Sequence, residues 1–345
     1  MHNKILGCIV GAATGDAMGA ATEVRSIKQI HEYFGGDVKD FYAPPQDTYG
    51  RCNSAGMCTD DFIQAKYIMD ELIANKGQFS DEVMKKAFRR WLDYPFYPNF
   101  TGPSTRAAMK KIFSDTRASL QESVSSSNET VEIINNGNFG ATNGASMKIW
   151  PAALMSLNNR SKLIKNTYEI TKFTHNNVLS VSGASAVAGA VLTSFDTNEL
   201  TDVFEAALRY AHDGYKLAQQ QGAIELAGPS VIKRMELAIR IGEQFERWED
   251  AVVEIADVIG CGIHISEAVP AVFGILACCG NNPNESIYAG VNAGDDTDTI
   301  ATMVGAIVGT LHGADALESR FITTIDDVNQ YDLKQYAEQV EKTFV

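Results

Sequence analysis

"NAGDDTDTIATMVGAIVG", residues 292–309, sets Asp295, Asp296 and Asp298 side by side and then turns apolar. From Ile300 to His312 the apolar positions recur at three- and four-residue intervals, the period of a helix with a buried face. No Lys or Arg occurs between Trp248 and Ser319, so nothing nearby in the chain neutralises the acids. The stretch therefore predicts a buried helix with a carboxylate cluster at its start.

The same period governs the rest of the chain. Residues 61–74, 82–92, 161–173, 178–194, 201–220, 229–242, 249–259 and 268–279 all read as helices, and strand-like alternation is scarce. At the N-terminus Gly7, Gly11, Gly15 and Gly19 recur every four residues along one helical stripe. Each glycine costs roughly 1 kcal/mol of helix propensity relative to Ala, so close approach of another backbone must offset them. Gly305 and Gly309 repeat the spacing after the acid cluster, which predicts two central, buried helices. Pro and Gly mark long loops at 42–58, 93–105 and 135–146, and long ordered loops tend to be binding elements. The expectation is one all-α domain spanning 1–345, with its functional loops at one end.

Composition excludes several classes. With 45% hydrophobic and 21% charged residues the chain is globular, and no run of eighteen apolar residues could span a bilayer. A net charge of −14 argues against binding long nucleic acid. Lys4 precedes an apolar stretch, but Asp16 and the glycine stripe fit a packed helix better than a signal peptide. Six cysteines without a C-x-x-C pair or framework spacing point to a reduced, cytoplasmic protein.

A second acidic group, Thr59–Asp60–Asp61, also stands immediately ahead of an apolar helix. Asp and Thr are favoured N-caps, and carboxylates suit the positive end of a helix dipole. One cap uses one such side chain, so capping leaves acids over in both clusters. Burying several carboxylates uncompensated costs many kcal/mol or forces protonation, and a divalent cation is the simplest neutraliser. Carboxylate and hydroxyl donors without His or Cys suit Mg²⁺, Mn²⁺ or Ca²⁺ rather than zinc. On residue chemistry alone, metal binding and capping both stay open.

"GAATGDAMGAATE" (11–23), "CTDDF" (58–62), "TNGASMKIWP" (142–151), "TH" (174–175) and "GDDTDTIATMVGAIVGTLHG" (294–313) together resemble the ADP-ribosylglycohydrolase family, in its motif order. The resemblance spans residue 4 to the C-terminal helix. It implies an all-α orthogonal helical bundle with a central dinuclear site, holding two Mg²⁺ or Mn²⁺ ions. The matching ligands are Thr59, Asp60, Asp61, Asp296, Asp298 and Thr299. Catalysis would fall to Glu23, Asp60 and Asp296. Substrate contacts would come from Glu23, Gly102, Ser104, Asn143, Gly144, Ala145, Ser146, Met147 and His175. The implied reaction cleaves the C1″ bond of an ADP-ribosyl group through an oxocarbenium-like state, with a carboxylate as general acid or base. The partner would be an ADP-ribosylated acceptor on a protein, a nucleic-acid end or a small molecule. A hydrolase of smaller N-ribosyl compounds and a non-catalytic ADP-ribose-binding protein are the alternatives.

Four departures from the family pattern bear on substrate choice: Phe62 for Thr or Ser, Asp295 for a Gly, Lys148 for an Arg, and no acid just before "GPST". Asp295 is expected to add bulk and charge beside the ligand pocket. Cys58 reads as a small core residue, and one of Tyr94, Phe96, Tyr97 and Phe100 as ligand-facing.

Overall fold

The computed structural model describes residues 1–113 and 140–345, so residues 135–139 of the third expected loop lie outside the described part. Seventeen α-helices and no strand appear among the described residues. They are α1 (His2–Gly19), α2 (Ile27–Phe34), α3 (Asp60–Ala74), α4 (Asp81–Leu92), α5 (Tyr97–Phe100) and α6 (Pro103–Ile112). Then come α7 (Trp150–Leu154), α8 (Leu163–Thr171), α9 (Val178–Thr193), α10 (Leu200–Gln220), α11 (Val231–Gly242) and α12 (Trp248–Val258). The last are α13 (Ile265–Cys279), α14 (Pro283–Val291), α15 (Thr297–His312), α16 (Ser319–Asn329) and α17 (Leu333–Phe344).

The glycine stripe finds its partner in α15, the most extensive helix contact of α1. A Cβ at Gly7 would overlap the Gly309 carbonyl, one at Gly11 the Gly305 carbonyl, and one at Gly15 the Ala301 carbonyl. The two helices are thus antiparallel, in backbone-to-backbone contact, with the register set by glycines on both sides. Both are buried over nearly their whole length.

α13 runs through Pro270, which has no N–H for the Ser266 carbonyl four residues earlier. Arg234 Nη1 of α11 fills that role at 3.1 Å, which is how a proline sits inside a buried helix that begins earlier than its apolar pattern. The helices that sequence periodicity did not single out include α2, α16 and α17, which bury one narrow face each. All six cysteines are free thiols, and no described helix is long and apolar enough to cross a membrane.

Candidate functional site

Antiparallel interlock brings the C-terminal end of α1 to the N-terminal end of α15, and both acid clusters follow from it. The Thr297 hydroxyl donates to the Gly19 carbonyl at 2.9 Å, and the Thr22 hydroxyl to the Val291 carbonyl at 2.6 Å. Beyond them the Val24 N–H donates to the Asp295 carbonyl and the Asp295 N–H to the Arg25 carbonyl, both at 2.8 Å. Val24 and Asp295 each sit at φ 60°, a left-handed conformation that is strained for a β-branched residue. This clamp holds Glu23 between the two helix ends.

Capping does not explain the acids. Thr59 at the N-cap of α3 and Asp296 at the N-cap of α15 make no side-chain capping bond. The α3 start is served by Asp16 of α1, whose Oδ2 accepts the Thr59 N–H at 2.8 Å and the Phe62 N–H at 3.3 Å. Its Oδ1 accepts the Thr59 hydroxyl. At α15, Asp298 accepts the Thr299 N–H at 2.9 Å.

The carboxylates also converge on one another. Asp16, Asp61 and Asp298 place carboxylate oxygens within 4.8 Å of one another, and so do Glu23, Asp296 and Asp298. Asp298 belongs to both groups. Glu23 Oε2 and Asp61 Oδ2 are buried with no hydrogen-bond partner, the state most costly for a carboxylate and most readily relieved by a cation. Asp296 Oδ2 is anchored from the side by Asn143 Nδ2 at 2.7 Å, and Asp60 Oδ2 by Gln64 Nε2 at 3.0 Å.

Electrostatics tell the same story. Burial pushes the Asp16 carboxyl up to about 7, restrained by its hydrogen bonds from Thr59 and Phe62. Burial and Asp16 raise Asp60 to about 8, with Lys148 opposing. Burial first and neighbouring acids second also raise Glu23, Asp61 and Asp298 well above the usual carboxylate range. Among the described residues the buried ammonium near them is Lys148, fully enclosed, donating to the Gly144 carbonyl and pushed down to about 8 by burial. One ammonium does not balance six acids, so carboxylate and Thr hydroxyl donors here fit hard divalent cations.

Above the acids lies a cavity of about 380 Å³. One wall is the start of α6, Gly102 to Arg106, and the facing wall is the turn carrying Thr142, Asn143, Gly144 and Met147. Tyr49 and Gly50 of the 42–58 loop close one side, and His175 another. The turn is held in place by the Asn143 N–H to the Ile263 carbonyl at 2.8 Å. His175 bonds Thr142 Oγ1 at 2.8 Å and Thr174 Oγ1 at 2.7 Å, and burial lowers its pKa well below the usual value.

Among the residues singled out from sequence, Glu23, Thr59, Asp60, Asp61, Asp296, Asp298 and Thr299 share this cavity with Gly102, Ser104, Asn143, Gly144, Met147 and His175. Ala145 and Ser146 are buried beneath it, because the tight turn at Asn143–Ala145 aims them inward and the Ser146 hydroxyl donates to the Asn143 carbonyl. Asp295 is a correction. It points away from this cavity into a separate one, which it shares with Glu267, His31 and Lys28, because its left-handed backbone reverses its direction relative to Asp296. Phe62 also points away, stacking on Trp150 with ring centroids 6.1 Å apart. Of the four loop aromatics, Phe100 lines the cavity while Tyr94 stacks on Trp91 at 5.2 Å. The Cys58 thiol is buried and raised well above its ordinary pKa, as a core residue would be. Sequence reasoning placed neither Asp16 nor Lys148 in the site. A lone charge inside an otherwise apolar run, "ATGDAMG" and "SMKIWP", was the available signal.

The ADP-ribosylglycohydrolase family profile matches residues 1–345. The Escherichia coli protein YegU is 28% identical over 344 residues, 98% of this chain and 96% of its own. Bovine (Bos taurus) ADP-ribosylhydrolase ARH3 is 24% identical over 355 residues, covering 96% of this chain and 91% of its own. A solved structure titled ADP-ribosylglycohydrolase-related protein complex superposes with a TM-score of 0.66 at 19% identity, covering 100% of this chain and 99% of that one. That likeness speaks to the all-α fold.

Proposed function

The chain belongs to the ADP-ribosylglycohydrolase family, a family of hydrolases, and from that premise we propose a metal-dependent enzyme that cleaves the C1″ glycosidic bond and frees ADP-ribose from its acceptor. One observation carries the metal reading: two groups of buried carboxylates share Asp298 on a cavity floor, and Glu23 and Asp61 each leave an oxygen unpaired there. Thr59, Asp60, Asp61, Asp296, Asp298 and Thr299 would hold two divalent cations, Mg²⁺ or Mn²⁺, whose chemistry is to fix ribose hydroxyls and polarise water.

The chain's own residues do the rest. Glu23 is the proton carrier in this reading: it lines the cavity beside the acids, one of its oxygens has no hydrogen-bond partner, and burial with its acidic neighbours raises its affinity for a proton. As the water oxygen bonds to C1″, the glycosidic electron pair leaves with the acceptor atom. One water proton is lost and the acceptor atom gains one, and Glu23 serves one of these transfers. Asn143 steadies Asp296 throughout. Gly102 and Ser104 at the start of α6, with Gly144 and Met147 of the turn, line the cavity together with the acids, and these walls would receive a diphosphate. A phosphate-free nucleoside would leave those walls unused.

The test is product analysis by mass spectrometry on ADP-ribosyl-Arg, ADP-ribosyl-Ser, ADP-ribosylated DNA and plain nucleosides, in Mg²⁺, Mn²⁺ or EDTA, with Asp296→Asn alongside. The expected result is ADP-ribose from at least one acceptor, lost in EDTA and in the variant. Turnover of nucleosides alone would overturn the substrate reading, and full activity in EDTA would overturn the metal reading.

A further inference from the structure

Asp16 lies within the glycine interlock, between the backbone contacts of Gly15 and Gly19 with α15, and is fully buried. Its carboxylate is nearly saturated: Oδ2 accepts two N–H groups, at 2.8 Å from Thr59 and 3.3 Å from Phe62, and Oδ1 accepts the Thr59 hydroxyl. Asp61, in the same group of three, keeps Oδ2 without a partner. The two acids are therefore in different situations. Asp61 has an oxygen to offer a cation, and Asp16 has its oxygens turned to α3.

A threonine hydroxyl has one proton and two lone pairs, and only a lone pair can face a cation. Left to rotate, the Thr59 hydroxyl could aim its proton at any of the neighbouring carboxylates and so oppose an ion. We propose that Asp16 is a positioning residue that commits the Thr59 proton away from the cavity, leaving the Thr59 oxygen to present only lone pairs to the cation site. The two N–H bonds fix where α3 starts, and the hydroxyl bond fixes how Thr59 points. Carboxylate partners behind a ligand act in this way by setting its orientation and raising its basicity. The inference rests on the reading that the site binds divalent cations.

The experiment is calorimetric titration of the metal-free full chain with Mn²⁺ and with Mg²⁺ alone. The wild type is compared with Asp16→Asn, Thr59→Ser, Thr59→Val and the Asp16→Asn/Thr59→Val double variant. Thermal unfolding of each metal-free protein runs in parallel. Asp16→Asn should weaken Mn²⁺ binding about ten- to a hundred-fold, beyond what any change in metal-free Tm would imply. Thr59→Ser, which keeps the hydroxyl, should stay near wild type. In the Thr59→Val background Asp16→Asn should cost no further affinity, since there is no hydroxyl left to orient. Wild-type affinity in Asp16→Asn would overturn the proposal. So would an equal loss in both backgrounds, which would mean that Asp16 acts on the site by a route other than the Thr59 hydroxyl. If Asp16→Asn does not fold, Asp16→Glu replaces it in the same cycle: it keeps the charge but moves the oxygens, so wild-type affinity there would refute a positioning role. A wild type that binds neither ion overturns the metal reading itself, a distinct result.

Discussion

Replacing Gly11 by alanine tests how the site is assembled. In a helix exposed to solvent this change would add about 1 kcal/mol of stability through propensity alone. Here the new methyl would overlap the Gly305 carbonyl group, and Gly305 Cα lies 3.3 Å from it. The obstacle is backbone, so no rotamer change relieves it. Restoring ordinary carbon contact at about 3.5 Å requires the helices to part by about 1 Å or more. Overpacking of this kind costs about 3 kcal/mol at the upper end of its usual range. Less the propensity gain, the net loss is about 2 kcal/mol. The same parting separates Asp16 and Glu23, carried by α1 and the turn after it, from Asp296 and Asp298 at the start of α15. Gly11→Ala should therefore lower the urea midpoint and also weaken Mn²⁺ binding measured by titration calorimetry on the fraction that is folded. A variant as stable as wild type, or more stable, would refute the backbone interlock as the device that builds the site.

Three further outcomes follow from the site. Glu23→Gln should cut ADP-ribose release about 10²–10⁴-fold, read as kcat on the best acceptor; unchanged kcat would remove Glu23 from proton transfer. In the metal-free protein, Asp16 and Asp60 have folded pKa values of about 7 and about 8, above the ordinary 3.8, so the folded state binds more protons and stability should fall as pH rises from about 4 to about 8. Lys148, lowered to about 8, opposes only above that window. Thermal scans in EDTA across pH 5–8 (on the order of three units) would show this decline, and a Tm rising over the same range would contradict it. Asp295→Gly should stabilise the fold by up to about 1 kcal/mol, by relieving its left-handed backbone, without altering KM. A changed KM would return Asp295 to the substrate cavity.

The helical period and the glycine spacing made the all-α fold legible, and α3, α9, α10 and α15 begin and end close to where their apolar positions do. Local pattern suffices for these because burying one face of a helix leaves its repeat in the chain. The acids flanking α3 and α15 were equally legible as an excess over what caps require. Asp16 and Lys148 were not legible as members of the site, since each reads as a single polar break in an apolar run. Only the packing of the α3 start against α1 sets Asp16 beside Thr59, and only the Asn143 turn sets Lys148 beside the acids.

Asp295 shows the limit most clearly. Adjacent to Asp296 in the chain, it faces another cavity, because a φ of 60° turns its side chain away. Chain order alone determined which hard oxygen donors stand at two helix starts, and the family resemblance, not any local pattern, singled out the glutamate after the glycine stripe. Tertiary structure decided which of those oxygens meet and which are left without a partner. Proximity among carboxylates drawn from α1, α3 and α15 depends on how closely two backbones can approach, and that is a property of the packed helices, not of any one segment.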